Sequence, residues 1–345
     1  MKLGWCVTWA WLGALTACSP ARGAPAAVVG RVHGAAPFIA QVDLDSSGTV
    51  IGADSGENAI DVWTAPFGPG APAFVGKLDG SVAGLELVGE DSLFAATGEG
   101  VIREWNWKLR QQTFAHKFYG ASGLVARSPD GRYLAFGGDL FDRSAAREAA
   151  TLPIDEQSAL RFSADGARVV SAGFRDGRLV VRDAQGDVIR AWRATAGVIM
   201  AALSPRGDRV AAVLRGGEVR VWQLPEARLI ASWWGNASPR GLSFLEDGTH
   251  VVIADPGGIE IRDALTSWKT YRAAVTGELR AFATKNGLGA AGTDTGMVWV
   301  WDLDHAAVLA SAQASTSGIG GVSLARNAHR LAAADSTGTI TVLGW

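Results

Sequence analysis

The chain has 345 residues, 48% of them apolar and 19% charged, a globular composition well away from the disordered regime. Its 32 Lys and Arg against 34 Asp and Glu leave a formal charge of −2, which excludes a general nucleic-acid binder, because such a protein needs a basic excess to displace counterions. Cys6 and Cys18 are the only cysteines, so no disulfide framework or cysteine-based zinc site lies further along, and the five histidines are scattered without metal-ligand spacing.

Met1-Lys2 precede an apolar stretch from Leu3 to Ala17. It is shorter than the roughly 20 residues a transmembrane helix needs, and has the shape of an export signal. Its end, Leu15-Thr16-Ala17-Cys18, resembles the bacterial lipobox. The resemblance implies that residues 1–17 are a signal peptide and that Cys18 takes the lipid and becomes the new N-terminus. Ser19 then implies sorting to the outer membrane rather than retention at the inner one. Two or more acyl chains, at about 0.8 kcal/mol per buried CH₂, make a stable anchor. The expected address is the periplasmic side of the cell envelope, lipid-anchored. Residues 18–25, rich in Ser, Pro, Ala and Gly, read as a tether. The alternative is an ordinary secretory signal cut near Ala24 or Ala26, with Cys18 incidental.

From residue 26 to 345 one pattern recurs: a turn such as Ser128-Pro129-Asp130-Gly131, an apolar strand, a Gly/Asp turn, and a strand ending in Trp or a substitute. In chain order these ends are Ile60-Asp61-Val62-Trp63, Ile102-Arg103-Glu104-Trp105, Val180-Val181-Arg182-Asp183, Val219-Arg220-Val221-Trp222, Glu260-Ile261-Arg262-Asp263, Val298-Trp299-Val300-Trp301-Asp302 and Ile340-Thr341-Val342-Leu343. Positions one and three before the Trp are mostly apolar and the position between them often polar, the period-2 alternation of strands. Asp-Gly pairs at 165–166, 176–177 and 247–248 supply the left-handed residue that tight hairpins need. The ends recur about every 40 residues, with a double step between Trp105 and Arg182, which is the period of a four-stranded propeller blade.

The copies resemble the WD-repeat β-propeller family, named for the Trp-Asp that closes its repeat. The resemblance implies an all-β, closed ring of four-stranded antiparallel blades acting as a non-catalytic platform for protein partners. The family's Gly-His pair, whose His joins a tetrad with Asp, Ser/Thr and Trp, is absent. Eight blades are expected, the extra one being a degraded copy inside the double step whose third strand is lost in Asp139-Leu140-Phe141-Asp142-Arg143. Seven is the alternative. Ser144 to Ala150 could form one helical turn. Because the chain stops after the third strand of its last copy, the segment from Ala26 to Val32 is expected to supply the missing strand and close the ring.

Signatures of catalysis are missing: no Gly-x-Ser-x-Gly, no His-Glu-x-x-His and no phosphate loop, since Gly318-Ile319-Gly320-Gly321 opens a strand. The quinone-cofactor propellers also have eight blades, but their repeat spacing is not met, and no Cys-x-x-Cys-His exists for haem. No catalytic residue, metal or cofactor is therefore expected, although a central-channel enzyme or small-molecule binder is the rival class. Asp43, Asp45, Ser47, Gly48 and Asp54 mimic a calcium loop, but they align with the hairpin turn of every other copy.

Two surfaces are candidates for contact. Between Arg103 and Tyr119 the local charge is +3 in a nearly neutral chain. Arg103, Trp107, Lys108, Arg110, His116, Lys117 and Tyr119 could form a docking edge for an acidic envelope protein or anionic headgroups, with the ring itself monomeric. In the degraded copy Arg127 stands where other copies have Leu44, Phe162, Leu203 or Phe244, and needs a partner or the channel; Asp139 and Asp142 are the nearest acids in sequence. Trp233, Trp234, Trp268 and Tyr271 fall on outer strands, as packing or rim residues.

Overall fold

A computed structural model describes residues 24–35, 39, 41–56, 58–118, 124–137, 139–151 and 156–345. Cys18, the signal segment and Tyr119 lie outside the described residues. The rest forms eight antiparallel sheets of four strands arranged in a ring, a β-propeller. The seven-bladed alternative is excluded.

Taken from the centre outward, blade 1 consists of Val42–Leu44, Val50–Asp54, Ala59–Thr64 and Phe74–Lys77. Blade 2 is Val82–Val88, Ser92–Thr97, Val101–Asn106 and Gln111–Lys117, and blade 3 is Val125–Arg127, Tyr133–Phe136, Asp139–Asp142 and Arg147–Thr151. Blades 4 to 7 begin at Gln157, Val198, Gly241 and Leu279 and follow the same up-and-down order. Each blade turns twice on one face of the ring, between strands one and two and between strands three and four. On the other face lie the turns between strands two and three and the crossings to the next blade.

The hairpins on the first face have a common cause. Ser128 accepts a hydrogen bond from Tyr133 N at 2.8 Å and donates one to Asp130 at 2.6 Å. Ser163 and Ser204 do the same with Arg168 N and Arg209 N. In blade 1 the carboxylate of Asp45 replaces the serine, accepting from Thr49 N and Val50 N at 2.7 Å each. Gly48 follows at φ +68°, a conformation that suits glycine. The apparent calcium loop is thus a self-satisfied turn: Asp43 faces the other way, toward Leu87 N and Ser323, and Asp54 bonds Gly56 N.

The apolar faces bury against neighbouring blades, so the core is divided into eight clusters, one at each junction. Trp63, Trp105, Trp222 and Trp301 are all buried in these clusters. The indole N–H groups of Trp63 and Trp301 have no acceptor among the described residues, as expected where the hydrogen-bonded tetrad is missing. In blade 6 Arg262 takes the Trp position and spreads its guanidinium over the Trp233 ring, 5.5 Å from the centroid, a flat cationic lid on the same junction.

Blade 8 contains Ile319–Ala325, Arg330–Asp335 and Thr339–Gly344, and its fourth strand is Ala27–His33 from the other end of the chain. The register runs from Ala27 opposite Gly344 to His33 opposite Thr339. Val32 then packs in one cluster with Trp63, Phe67, Ile340 and Val342, closing blade 8 on blade 1. Gly30 sits so close to Phe67 that a Cβ would stand 2.5 Å from the Phe67 carbonyl oxygen.

Three expectations need correction. The third strand of the degraded copy is present, Asp139–Asp142, with Phe141 at the Trp position opposite Leu134. Its hairpin is shorter than in other blades, which moved Phe141 out of the expected spacing. Residues 143–146 form a turn and Arg147–Thr151 a strand, so there is no helical turn between Ser144 and Ala150. Finally, Ala24–Pro25 is not free tether: it pairs in parallel with the outer strand of blade 7, Ala24 opposite Ala310 and Pro25 opposite Ser311.

Candidate functional site

The basic segment of blade 2 does not assemble into one patch. Trp107, Lys108 and Arg110 lie in the turn before the outer strand, and His116 and Lys117 lie at that strand's far end, on the opposite face. Five strand residues, Gln111 to Ala115, lie between Arg110 and His116, a separation of about 20 Å. Trp107 is buried in the junction with blade 1. Lys108 lies over the Trp107 ring and within 4.0 Å of Glu90. Arg103 is ion-paired with Asp79 and also bonds Lys77 O at 3.0 Å. Arg110 bonds Ala73 O at 3.0 Å.

His116 belongs to an aromatic cluster. Its ring stacks on Phe141 with centroids 4.0 Å apart and meets Phe118 edge-on at 4.6 Å. Nε2 is buried without a hydrogen-bond partner among the described residues. Burial lowers its pKa below the ordinary histidine value, against the opposing pull of Glu148 and Asp139. Asp139 is raised, first by burial and then by Glu148. Its neighbour in this picture is His116, not Arg127.

Arg127 meets neither expected acid. Asp142 is paired with Arg132 at 2.8 Å, and hydrogen bonds from Arg132 and Ser144 hold its carboxyl well below the usual range. Arg127 instead points across the junction to blade 2, with Glu86 at 3.6 Å and Glu104 at 3.9 Å. Arg143 grips Glu104 with both terminal nitrogens, at 2.9 and 2.6 Å. The side chains of Arg127 and Glu104 are only 10% and 11% exposed. Sequence reasoning missed Glu104, yet a signal existed: it occupies the position before the Trp, which is Val62, Val221, Ile261 and Val300 elsewhere. Two polar exceptions at apolar positions answer each other across the junction.

The charges continue round the channel. The register places Asp43, Glu86, Ala126, Arg161, Ala202, Ser243, Ala283 and Ser323 at one level of the eight inner strands. Asp43 lies 3.9 Å from Lys285 of blade 7. Burial raises Glu86, partly offset by Arg127. Blades 8, 1, 2 and 3 therefore lock their inner strands with polar bonds. On the other side, the inner strands of blades 4 to 7 bound an axial cavity of about 450 Å³.

The outer rim is apolar over part of one face. The outer strands of blades 4 and 5 begin with Val188 and with Arg228-Leu229, and blade 6 carries Leu265 and Trp268 just before Lys269. All four apolar side chains are exposed, Trp268 by 76%. Trp234, 72% exposed, is on the opposite face, whereas Trp233 is buried and Tyr271 packs against the junction with blade 7.

No protein-family model matches the chain, and no curated protein sequence does. Solved structures do. The computationally designed Ika8 protein superposes with a TM-score of 0.74 at 16% identity, over 92% of this chain and 99% of its own. The C-terminal WD40 domain of Sif2 superposes with a TM-score of 0.76 at 14% identity, over 94% of this chain and 99% of that domain. At such identities the likeness establishes the propeller fold.

Proposed function

We propose that this eight-bladed β-propeller is an exported lipoprotein whose ring is a non-catalytic platform for a protein partner in the cell envelope. The observation that carries the platform reading is the apolar rim at the start of the outer strands of blades 4 to 6, with Val188, Leu229, Leu265 and Trp268 exposed at one end of consecutive blades. Single exposed apolar residues are ordinary on a soluble protein, but large ones grouped on one face favour an interface. The WD40 neighbour supports the same reading. A ring closed by its own first strand changes little on binding, so the rim is presented preformed.

The anchor reading rests on Leu15-Thr16-Ala17-Cys18. Ala24–Pro25 is pinned to the rim of blade 7, and the stretch from Cys18 to Ala24 reaches about 20 Å at full extension. A lipid on Cys18 would hold blade 7 close to the membrane.

The test is capture from cross-linked envelopes with the native protein and with a Leu229→Ser, Trp268→Ser variant. A stoichiometric partner with the first and none with the second is expected. Equal capture by both would remove the rim, and a clean monomer in both would remove the platform. Cys18→Ser is expected to move the protein from the membrane to the soluble fraction; unchanged fractionation would sink the anchor.

A further inference from the structure

The axial cavity has an uneven chemistry. Its walls carry Phe162, Met200, Leu242 and Phe282 as apolar surface, and two charged side chains, Arg161 of blade 4 and Arg240 of blade 6. No carboxylate lines it among the described residues. Arg240 is already answered, by Glu278 at 2.9 Å. Arg161 is not: its hydrogen bond goes to the carbonyl of Leu160, 2.9 Å away, and no acid faces it among the described residues. Its side chain remains open to the channel although the residues around it, Leu160 and Ala159, are buried.

The contrast with the opposite wall matters. At the same level of the ring Asp43 is satisfied by Leu87 N and Ser323, and Glu86 and Arg127 answer each other. Arg161 has no such partner among the described residues, and its guanidinium stands exposed in the open channel.

We propose that the cavity is a binding site for a small organic anion, a carboxylate or phosphate ester on an apolar body. The head group would sit on the planar donor fork of Arg161, which matches two oxygens of such a head at once. The body would lie against Phe162, Leu242 and Phe282. The volume is within the range of small-molecule sites, which are largely apolar with a few polar groups fixing orientation. This site is on the axis and separate from the rim, so it stands or falls independently of the platform.

The probes are benzoate, phenyl phosphate, inorganic phosphate and, as the cationic control, benzylamine, titrated into the full chain at low ionic strength by calorimetry, with the melting temperature as second readout. Benzoate or phenyl phosphate is expected to bind and raise the melting temperature, and their relative affinity tells a carboxylate site from a phosphate-ester site. Arg161→Gln is expected to weaken that binding about ten- to a hundredfold, the worth of a charge-assisted contact. Arg161→Lys, which keeps the charge without the fork, should lose less. Ser243→Leu, which crowds the cavity and leaves the arginine in place, should also weaken binding, and it serves if the glutamine variant fails to fold. Absence of binding by either organic anion, equal affinity in the variants, or equal binding of benzylamine overturns the proposal. Inorganic phosphate binding as tightly as phenyl phosphate overturns the apolar body.

Discussion

At the scale of single residues, the junction of blades 2 and 3 turns on Glu104. Both its oxygens are held by Arg143, and Arg127 lies 3.9 Å from one of them. Removing one member of a buried ionic group strands the others, whereas losing a member whose partners are held elsewhere or are open to solvent costs little. Glu104→Ala is therefore expected to destabilise the protein by about 2–3 kcal/mol, read by denaturant unfolding. Arg127→Leu restores the residue type of Leu44 and Leu203, leaves Arg143 on Glu104, and leaves Glu86 with its side chain 46% exposed to solvent, so a change below about 1 kcal/mol is expected. A larger loss from Arg127→Leu than from Glu104→Ala would mean that the ion group is wrongly read.

His116 makes the same junction sensitive to acid. Its folded pKa lies below the unfolded value, because the half-buried ring is packed among Phe114, Phe118 and Phe141. Between the two pKa values the unfolded chain binds more protons, so stability rises with pH there. The contribution is complete above the unfolded value near 6.5, and is lost as pH falls below it toward the folded pKa. The melting temperature is expected to drop on acidification from pH 7.5 to 5.5, and His116→Phe to flatten that drop. An identical pH profile for the variant would exclude His116 as a source.

At the scale of elements, the repeat was legible where its chemistry is local. Ser-x-Asp-Gly turns are short-range bonds, and their spacing is visible without the fold. Ser204 is buried and accepts from Arg209 N at 2.9 Å. Ser204→Ala leaves that hairpin amide without its side-chain acceptor and is expected to cost about 1–2 kcal/mol, measured as a shift of the denaturation midpoint. Blade 3 was misjudged for an equally local reason. A hairpin shortened between Phe136 and Asp139 displaced Phe141 from the spacing of the other copies, though it pairs with Leu134 as Trp63 pairs with Ile51. The basic segment of blade 2 is split between two faces because a strand places its two ends apart, which adjacency in sequence conceals.

At the scale of the molecule, closure is the controlling event. The ring has eight separate junction clusters, and the one between blades 8 and 1 requires Val32 from the first strand of the ring. Deleting residues 1–33 is expected to expose the edge of Thr339–Gly344, lower the melting temperature on the order of 10 °C and promote aggregation in size-exclusion chromatography. A deletion variant as stable and monomeric as the full chain would show that closure by this strand is dispensable.

The sequence by itself determined the strand period, a ring of eight blades with seven as the alternative, the Asp-Gly turns and the use of the N-terminal strand to close the last blade, because each follows from short-range bonds or from a repeat counted along the chain. Only the tertiary structure decided which charges meet. Arg127 chose Glu86 and Glu104 over Asp142, and Arg161 came to face a cavity with no acid among its described lining residues. Those outcomes depend on strands about forty residues apart being set side by side at a common level of the ring. Coulomb and hydrogen-bond energies fall off over a few ångströms, so only that placement settles them.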